Sequence, residues 1–295
     1  MKIVFFGTPD YVLPILTSLH KKFVTGPGKS PIVAVVTQSP KPVGRKEVVT
    51  FSPIDRWAHE HGVPIHYSAS QLAMDSVEAD IGILASYGEI IRKDVIDLFP
   101  HGILVIHPSL LPKYRGASPV PAAIAAGDAV TGVTIFKMDE KVDHGPVVSQ
   151  FKEEILPTDD GEILRARLFA RSAEVLVELI KPYLQNKIAP KTQDESEATY
   201  TKTVTRENGF IDLARTVPVK AERFIRAMQP WPGAWTHVNL QISKSANDKS
   251  GVKRLKLLKA HTENEKLVLD EVQLEGKEPV SWEQFEEGYN NAKFI

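Results

Sequence analysis

From residue 1 to residue 185, short apolar runs alternate with longer amphipathic segments, and this alternation constrains the fold more than any other feature. The runs are rich in Val and Ile and apolar on both faces, as buried parallel strands are. Helical patterns begin between them, near Thr8, Ser52 and Asp94. This order predicts an α/β fold with a doubly wound, mostly parallel sheet. The predicted strands are 2–6, 32–37, 81–85 and 102–106.

Two more strands and a long helix are predicted to complete this region. The apolar runs 132–137 and 147–152 are separated only by a loop, so we expect an antiparallel pair at one edge of the sheet. The helix that follows is predicted to begin at Asp159, because Glu162 lies three residues later in the spacing of a capping box. Its apolar face runs from Leu164 to Leu179, and it is expected to end near Tyr183.

A change in composition divides the 295 residues into two parts, each long enough to bury its own core. From 186 to 206 the chain is rich in Lys, Thr, Asp, Glu and Ser, which is typical of an extended linker. A helical pattern at 221–228 and an aromatic turn follow, and then short β-like runs at 235–242, 252–260 and 266–274. Such runs are typical of a small β-barrel of the oligonucleotide-binding (OB) type. The predicted partition is an N-terminal domain at 1–187, a linker at 188–206 and an OB-like domain at 207–295.

Charge and cysteine content exclude several broad classes of protein. Thirty-six basic residues oppose thirty-seven acidic ones, so no bulk field attracts nucleic acid and any such contact must be local. The chain has no cysteine, which excludes disulfides and thiolate nucleophiles and fits a reducing compartment. Only four consecutive apolar residues precede Gly7, too few for a signal-peptide core or a membrane span. We expect a cytoplasmic protein with no membrane partner.

A histidine follows the fourth predicted strand, at the edge where open α/β sheets bind their ligands. His107 has an ordinary pKa of about 6.5, which suits proton transfer at neutral pH. Pro108 ends the strand's hydrogen bonding, and the Leu-Leu-Pro turn that follows offers backbone groups to a flat ligand. A core histidine bonded to a neighbour is the alternative, but the position favours a functional role.

A second motif, MDEKVDHG at 138–145, supplies a carboxylate about thirty residues later. Asp143 precedes Gly145, so a simple turn-forming role is the alternative interpretation. An imidazole held by a carboxylate suits general acid–base catalysis. We therefore predict that His107 and Asp143 converge from two distant loops at the mouth of the sheet.

The chain resembles the folate-dependent formyltransferases over nearly its whole length. Motifs in the first part look like the catalytic domain of methionyl-tRNA formyltransferases: FGTP at 6–9, VTQ at 36–38, SP at 52–53, SYG at 86–88, HPSLLPKYRGASP at 107–119, GD at 127–128, TGVT at 131–134 and MDEKVDHG at 138–145. Glycinamide ribonucleotide and sugar-amine formyltransferases share much of that pattern. Motifs in the second part, which resemble the tRNA-binding appendage of the methionyl-tRNA enzymes, decide between them: ATYTK at 198–202, ID at 211–212, RAMQPWPGAW at 226–235 and VQLEGK at 272–277.

The resemblance implies acyl transfer, in which the α-amino group of methionine on initiator tRNA attacks the formyl carbon of 10-formyltetrahydrofolate. It implies a proton-transfer and oxyanion role for His107, with Asp143 orienting and charging the imidazole, and no metal. The expected partners are initiator methionyl-tRNA and folate, and we expect a monomer. The residues that the resemblance places around the folate are Ser86, Tyr87, Gly88, Glu89, Ser109, Leu110, Leu111 and Pro112.

Val105 departs from the pattern, because the family that this chain resembles carries asparagine two residues before the catalytic histidine. Valine cannot donate to an oxyanion, and losing one such donor costs about 100- to 1000-fold in turnover. In this respect the chain resembles the hydrolase domain of formyltetrahydrofolate dehydrogenase. Hydrolysis of 10-formyltetrahydrofolate and a folate- or tRNA-binding role without catalysis are therefore alternatives. The tRNA-like C-terminal motifs favour a transferase with reduced activity.

Two basic loops are candidates for phosphate contacts with tRNA. Between residues 244 and 259 there are six basic residues and one acidic residue, and a merely solvated loop is the alternative. The second is the loop 40–50. It resembles a loop of the methionyl-tRNA formyltransferases that contacts the acceptor-stem end of tRNA. The candidate residues are Lys253, Arg254 and Lys256 in the first loop, and Lys41, Arg45 and Lys46 in the second.

Overall fold

A seven-stranded sheet forms the centre of one packing unit, which consists of Met1–Gly116, Thr131–Glu154 and Arg165–Tyr200. The structure, a computed structural model, describes residues 1–26, 28–43, 47–240 and 251–295. The first ten strands are β1 (Ile3–Gly7), β2 (Ile32–Val36), β3 (Lys41–Val43), β4 (Val48–Thr50), β5 (Ile65–His66), β6 (Ile81–Ala85), β7 (Ile103–His107), β8 (Arg115–Gly116), β9 (Val130–Lys137) and β10 (Val147–Glu154). The first six helices are α1 (Leu13–Phe23), α2 (Pro53–His61), α3 (Ala69–Met74), α4 (Lys93–Ile96), α5 (Pro119–Ala126) and α6 (Gly161–Leu184).

The strand order of this sheet is β10-β9-β7-β6-β1-β2-β5. Strands β5, β2, β1, β6 and β7 pair in parallel, whereas β9 is antiparallel to β7. The chain moves outward from β1 first to β2 and later, on the other side, to β6, so the order reverses between β1 and β6. Open α/β sheets bind ligands beyond the carboxyl ends of the strands at such a point. Strands β6 and β7 end at this edge.

Strands β1, β6 and β7 are buried because their apolar side chains face packed layers on both sides of the sheet. Phe6 is fully buried, and its ring lies 5.8 Å from that of Tyr87 and 6.0 Å from that of Phe99, both in edge-on geometry. Removing a ring from such a core costs about 3–5 kcal/mol. The apolar runs predicted four of the five parallel strands to within one residue at each end, whereas the two-residue strand β5 was not predicted.

The cap of α6 lies one residue later than predicted. Asp160, not Asp159, accepts hydrogen bonds from the backbone N–H groups of Glu162 and Ile163, at 2.9 and 2.8 Å. The Asp159 carboxylate is buried and instead accepts from the N–H of Leu156 at 2.8 Å. Two adjacent aspartates both satisfy the sequence rule for a cap, so only their surroundings distinguish them.

A five-stranded antiparallel sheet dominates the second packing unit, which consists of Ala117–Val130, Ile155–Leu164 and Thr201–Ile295. The remaining elements are β11 (Tyr200–Thr201), α7 (Pro218–Ala227), β12 (Ala234–Asn239), β13 (Val252–Glu263), β14 (Lys266–Leu274), β15 (Val280–Ser281), α8 (Trp282–Gly288) and β16 (Lys293–Phe294), with short 3-10 turns at Asp10–Val12, Glu195–Glu197 and Glu207–Gly209. The strand order of the antiparallel sheet is β15-β14-β13-β12-β16, and every second residue along β12 is buried. Helix α7 packs against α5 and β13.

The predicted fold class is confirmed: a doubly wound, mostly parallel sheet is followed by a smaller antiparallel sheet of the kind that an OB-like barrel requires. The predicted end of the strand 235–242 lies outside the described residues. The boundaries 1–187, 188–206 and 207–295 stay a prediction. The unit that contains the C-terminal residues also takes in two earlier segments, 117–130 and 155–164.

Among the residues that the structure describes, no helix combines the length and the apolar character needed to cross a lipid bilayer.

Candidate active site

His107 is the last residue of β7 and lies at the carboxyl edge of the sheet. The residue is only 5% exposed, in a strand whose five residues are all buried. The register pairs Leu84 of β6 with Val105 of β7, which places the loop after β6 level with His107. The prediction that a histidine and this loop share one edge of the sheet therefore agrees with the strand register.

The two ring nitrogens of His107 face different acceptors. Nε2 lies 2.9 Å from the backbone carbonyl oxygen of Tyr114. A carbonyl oxygen can only accept, so Nε2 carries the hydrogen and donates it. In the neutral ring, Nδ1 is then the nitrogen with a free lone pair. Nδ1 lies 3.5 Å from Oδ2 of Asp143, a looser contact than the bond on the other side of the ring.

Asp143 reaches His107 from the loop between β9 and β10. Its Oδ2 atom also accepts a hydrogen bond from the N–H of Gly116 at 2.7 Å, which fixes the carboxylate from the side of the chain that follows His107. The Asp143 backbone has φ 47°, in the left-handed region that few non-glycine residues occupy. At Gly145 a Cβ atom would overlap the carbonyl oxygen of Lys137, so the loop passes too close to β9 for any side chain there. The structure thus brings the two predicted catalytic residues together.

Burial controls the charge of His107. Desolvation lowers the pKa of the imidazole below its ordinary value, although the Asp143 carboxylate and the Tyr114 carbonyl both act to raise it. At neutral pH the ring is therefore neutral, with its hydrogen on Nε2. A neutral imidazole with an unprotonated Nδ1 beside a carboxylate can accept a proton, and the carboxylate then stabilises the imidazolium that forms.

Val105 lies on the same face of β7 as His107, two residues earlier. It is 5% exposed and packs in an apolar cluster with Leu111 and Phe136. The side chains of these three residues cannot donate a hydrogen bond in place of the asparagine that the resemblance leads one to expect. The position is apolar in its surroundings as well as in its side chain.

The turn after His107 is anchored to the edge strands of the sheet. The Thr134 hydroxyl donates to the Ser109 carbonyl at 2.7 Å and accepts from the N–H of Leu111 at 3.0 Å. Gln150 donates to the Leu111 carbonyl at 3.0 Å and to the Thr134 hydroxyl at 2.8 Å. The Ser109 hydroxyl is itself engaged with the Lys113 carbonyl at 2.6 Å. The stretch from Ser109 to Pro112, predicted to line the folate site, is therefore a rigid turn.

The loop after β6 holds the other predicted folate residues. Ser86 has φ 50° and Gly88 has φ 90°, so the backbone turns sharply there. The ring of Tyr87 is buried in the core, and its hydroxyl donates to Glu89 at 2.8 Å. Burial and this bond raise the pKa of Tyr87 far above its ordinary value. Tyr87 thus anchors the loop, while the Glu89 side chain is exposed.

The candidate tRNA residues differ in their accessibility. Arg45 and Lys46 lie outside the described residues, whereas Lys41 is exposed in the hairpin of β3 and β4. Along β13, Arg254 and Lys256 are exposed and share one face of the strand, while Lys253 points to the other side and is half-buried. The Arg254 guanidinium lies 4.0 Å from the centre of the Trp235 ring. The structure separates the predicted trio into two faces.

Four residues of the site's support were not predicted: Thr134, Gln150, Arg115 and Gln193. Thr134 pairs with His107 across the β7–β9 ladder, a register that sequence alone does not specify. Arg115 and Gln193 are buried polar residues in segments with a polar composition, so no periodic pattern marks them. Arg115 lies within the motif HPSLLPKYRGASP at 107–119, and its place in that motif is the one feature of the sequence that could have pointed to it.

Within the described part of the chain, no group of three or more His, Asp or Glu side chains is arranged to hold a metal ion.

Two family models match the chain. One, described as formyl transferase, matches residues 1–180, and the other, described as formyl transferase, C-terminal domain, matches residues 203–290. A methionyl-tRNA formyltransferase of Roseiflexus sp. (strain RS-1) is 40% identical over 242 residues, which cover 80% of this chain and 73% of that protein. A methionyl-tRNA formyltransferase of Thermus thermophilus is 36% identical over 241 residues, which cover 80% of this chain and 75% of that protein.

Solved structures share the fold. The methionyl-tRNA formyltransferase from Clostridium thermocellum superimposes with a TM-score of 0.59 at 18% identity, covering 93% of this chain and 98% of that chain. An N-formyltransferase from Helicobacter canadensis, solved in complex with folinic acid and dTDP-3-aminofucose, gives a TM-score of 0.62 at 15% identity, covering 87% and 95%. At these identities the likeness concerns the fold alone.

Proposed function

The chain belongs to the formyl transferase family, and from this premise we propose that it transfers a formyl group from 10-formyltetrahydrofolate to the α-amino group of methionyl-initiator tRNA. One observation carries the choice of acceptor: the chain matches the C-terminal family model as well as the N-terminal one, and relatives named methionyl-tRNA formyltransferase align with 80% of its length. The resemblance of the first part alone also extends to sugar-amine enzymes.

His107 is proposed as the group that moves the proton. The donation from Nε2 to the Tyr114 carbonyl, 2.9 Å away, holds the neutral tautomer, and so Nδ1 is free to take the proton that the attacking amine must lose. The resulting imidazolium is a cation beside the developing oxyanion and stabilises it. The same ring then returns the proton to the N10 nitrogen of tetrahydrofolate as the C–N bond breaks. The proton and the formyl group are thus both accounted for.

Asp143 is proposed as the residue that stabilises the charged ring. The 2.7 Å bond from the Gly116 N–H holds its carboxylate, so the carboxylate does not follow the ring as the ring gains charge. A fixed negative charge at 3.5 Å from Nδ1 favours the imidazolium in surroundings that otherwise disfavour it. Charge therefore appears on His107 only when the reaction supplies a proton.

The folate co-substrate is proposed to bind at the carboxyl edge of β6 and β7. The turn from Ser109 to Pro112 and the loop from Ser86 to Glu89 follow these two neighbouring strands. Both are held by hydrogen bonds inside the protein, at Thr134 and at Tyr87 respectively. Segments that are already held in place lose little entropy when a flat pterin ring binds against them.

Val105 is proposed to lower the rate of this enzyme. The side chains of the apolar cluster of Val105, Leu111 and Phe136 offer no donor to the tetrahedral oxyanion, so the stabilisation that an asparagine side chain would supply is missing at this position. We expect the turnover number to be about 100- to 1000-fold lower than in the same site with an asparagine at this position.

Contacts with tRNA are proposed at two basic regions. Lys41, Arg45 and Lys46 belong to the loop after β2, and Arg254 and Lys256 share the exposed face of β13, with Lys253 on the same strand. The protein is proposed to act as a monomer in the cytoplasm, where charged initiator tRNA and reduced folate are both present.

One assay tests the proposal. The purified protein is incubated with 10-formyltetrahydrofolate, with and without methionyl-initiator tRNA, and both formyl-methionyl-tRNA and free formate are measured. The proposal predicts formyl-methionyl-tRNA that depends on both substrates. Formate released equally with and without tRNA would instead identify a hydrolase, and the absence of both products would identify a binding protein.

A further inference from the structure

A short segment beyond α6, residues 191–200, is hydrogen-bonded to both loops that hold His107 and Asp143. The Thr199 hydroxyl accepts from the N–H of Tyr114 at 2.8 Å, and the Thr199 carbonyl accepts from the N–H of Arg115 at 2.8 Å. On the other side, the backbones of Lys191 and Val147 are bonded to each other in both directions. The composition predicted an extended linker here, and the structure places much of it against the site's supporting loops.

Gln193 is the buried polar residue of this segment, with only 7% of its surface exposed. Its amide nitrogen donates to the backbone carbonyls of Asp143 at 2.9 Å and of Gly145 at 2.8 Å. Its amide oxygen accepts from Nε and a terminal nitrogen of Arg115, at 3.2 and 2.8 Å. One side chain therefore bridges the loop that carries Asp143 and the loop that follows His107.

Arg115 holds the other end of this bridge. It is 1% exposed, and its guanidinium makes a double contact with the carboxylate of Glu195, at 2.6 and 3.0 Å. Its neighbours in sequence contact the catalytic pair, because the Tyr114 carbonyl accepts from His107 and the Gly116 N–H donates to Asp143. A buried, doubly paired arginine is a rigid anchor, since moving it would leave charge unpaired.

Asp143 needs such support more than an ordinary residue does. A positive φ of 47° is disfavoured for a residue with a Cβ atom and persists only where the surroundings hold it. The carbonyls of Asp143 and Gly145 are the backbone groups of this turn that Gln193 binds. If those bonds are lost, the turn can relax and the carboxylate can swing away from Nδ1 of His107.

We propose that Gln193 is a positioning residue for the reaction, which holds the Asp143 turn in its left-handed conformation so that the carboxylate faces His107. This inference rests on the proposed function for its kinetic readout. Gln193 contacts neither His107 nor a reacting atom, and it acts only through Asp143. The same bridge joins the catalytic loops to the segment that leads into the C-terminal part of the chain.

Two substitutions separate its bonds. Gln193→Met keeps the volume and removes every hydrogen bond of the side chain. Gln193→Glu keeps the acceptor for Arg115 but cannot donate to the carbonyls of Asp143 and Gly145. Asp194→Asn is the matched control, because Asp194 lies in the same segment and its carboxylate accepts local bonds from the backbone and the hydroxyl of Ser196.

Steady-state formylation is measured for all three variants and the unmodified protein. We expect kcat to fall by about 10- to 100-fold for both Gln193 variants, as when an outer residue lets a catalytic group move by about 1 Å. KM for both substrates should stay within about twofold, because an interaction made only in the transition state is lost. Asp194→Asn should match the unmodified protein. A fall in thermal stability with kcat intact would show a merely structural role and overturn the inference.

A second readout does not depend on turnover. The Asp143 carboxylate raises the pKa of His107, so a carboxylate that moves away leaves the pKa still lower. NMR titration of the His107 ring should therefore show a lower pKa in Gln193→Met than in the unmodified protein. An unchanged pKa would contradict the inference even if the protein had no transferase activity. If the unmodified protein showed no formylation, but the pKa of His107 were still lower in Gln193→Met, only the proposed function would be refuted.

Discussion

Two histidine–aspartate pairs in this protein behave in opposite ways. In the first packing unit, His107 and Asp143 have side chains only 7% and 17% exposed, and burial lowers the pKa of the histidine. In the second unit, the side chains of His261 and Asp270 are 52% and 42% exposed, and the hydrogen bond that the His261 ring donates to Asp270 raises the pKa of the histidine. In both pairs an imidazole nitrogen faces an aspartate carboxylate. Burial decides whether the imidazole is available as a neutral base at neutral pH.

The fold contributes to the chemistry by determining how far each histidine is buried. In the exposed pair the carboxylate raises the pKa of the histidine, but water screens the interaction, so the pair does little beyond local pairing. At the carboxyl edge of β7 the sheet removes water from His107, and the loops supply one acceptor to each ring nitrogen. Catalytic use of a common side-chain pair thus depends on where the parallel sheet places it.

Replacing each histidine gives the largest contrast. His107→Gln should lower kcat for formylation by about 1,000- to 10,000-fold, because both the proton acceptor and the cation beside the oxyanion are lost. His261→Gln is the matched control and should leave kcat unchanged. Initial rates of formyl-methionyl-tRNA formation measure both. Equal activity of the two variants would break the comparison.

Replacing each aspartate tests the role of the partner. Asp143→Asn keeps the acceptor for the Gly116 N–H but removes the charge, so kcat should fall by about 100- to 1,000-fold. The acid limb of the kcat/KM profile should move to lower pH, since a contribution that raises the pKa of His107 is gone. Asp270→Asn should change neither quantity. A limb that moved to higher pH would contradict the assigned role of Asp143.

Restoring a donor at Val105 should raise activity. Val105→Asn is expected to increase kcat by up to about 100-fold, because an amide would face the oxyanion. The same change places an amide in the apolar cluster with Leu111 and Phe136, so we expect a loss of about 1–3 kcal/mol in unfolding free energy.

Val105→Leu is the control for that substitution, since leucine has the shape of asparagine without its amide. Parallel kinetics and urea denaturation separate the two effects. No gain from the asparagine, at equal folded fraction, would show that the site has another oxyanion donor.

The smallest effect is expected on the exposed face of the second unit. Arg254→Ala should reduce the slope of log affinity for tRNA against log salt by about 1 and leave kcat unchanged. Lys259→Ala is the control, because Lys259 lies on the same strand and is already paired with Glu271 at 3.3 Å. Binding is measured by filter retention between low and physiological salt. An unchanged slope for Arg254→Ala would remove this residue from the tRNA contact.

Four of the five parallel strands could be predicted because burial on both faces leaves continuous apolar runs, and β6 matches its predicted bounds. The parallel strand β5 was not predicted, because two residues are too few to form such a run. Strands β3 and β4 were not predicted either, because each has only three residues and those of β4 are all exposed. The helix α5 was missed as well, because the two prolines in Pro119–Ala126 favour a loop in a sequence pattern.

Some residues of the candidate site could likewise be predicted from the sequence, and others could not. His107 could be predicted because a strand end is visible in sequence, and Asp143 because the resemblance marks its motif. The apolar cluster around Val105 depends on side chains from other strands, which no local pattern specifies. Gln193 acts through single hydrogen bonds across about fifty residues of chain, and such bonds have no periodicity.

Burial keeps His107 neutral, with its hydrogen on Nε2 and its lone pair on Nδ1 beside Asp143. One NMR titration of the imidazole nitrogens, with His107→Gln and His261→Gln used for assignment, follows both histidines in the same sample. We expect His107 to titrate below about 6.5 as the Nε2–H tautomer and His261 to titrate above that value. A His107 that titrates above about 6.5, or that carries its hydrogen on Nδ1 when neutral, would show that this description of the site is wrong.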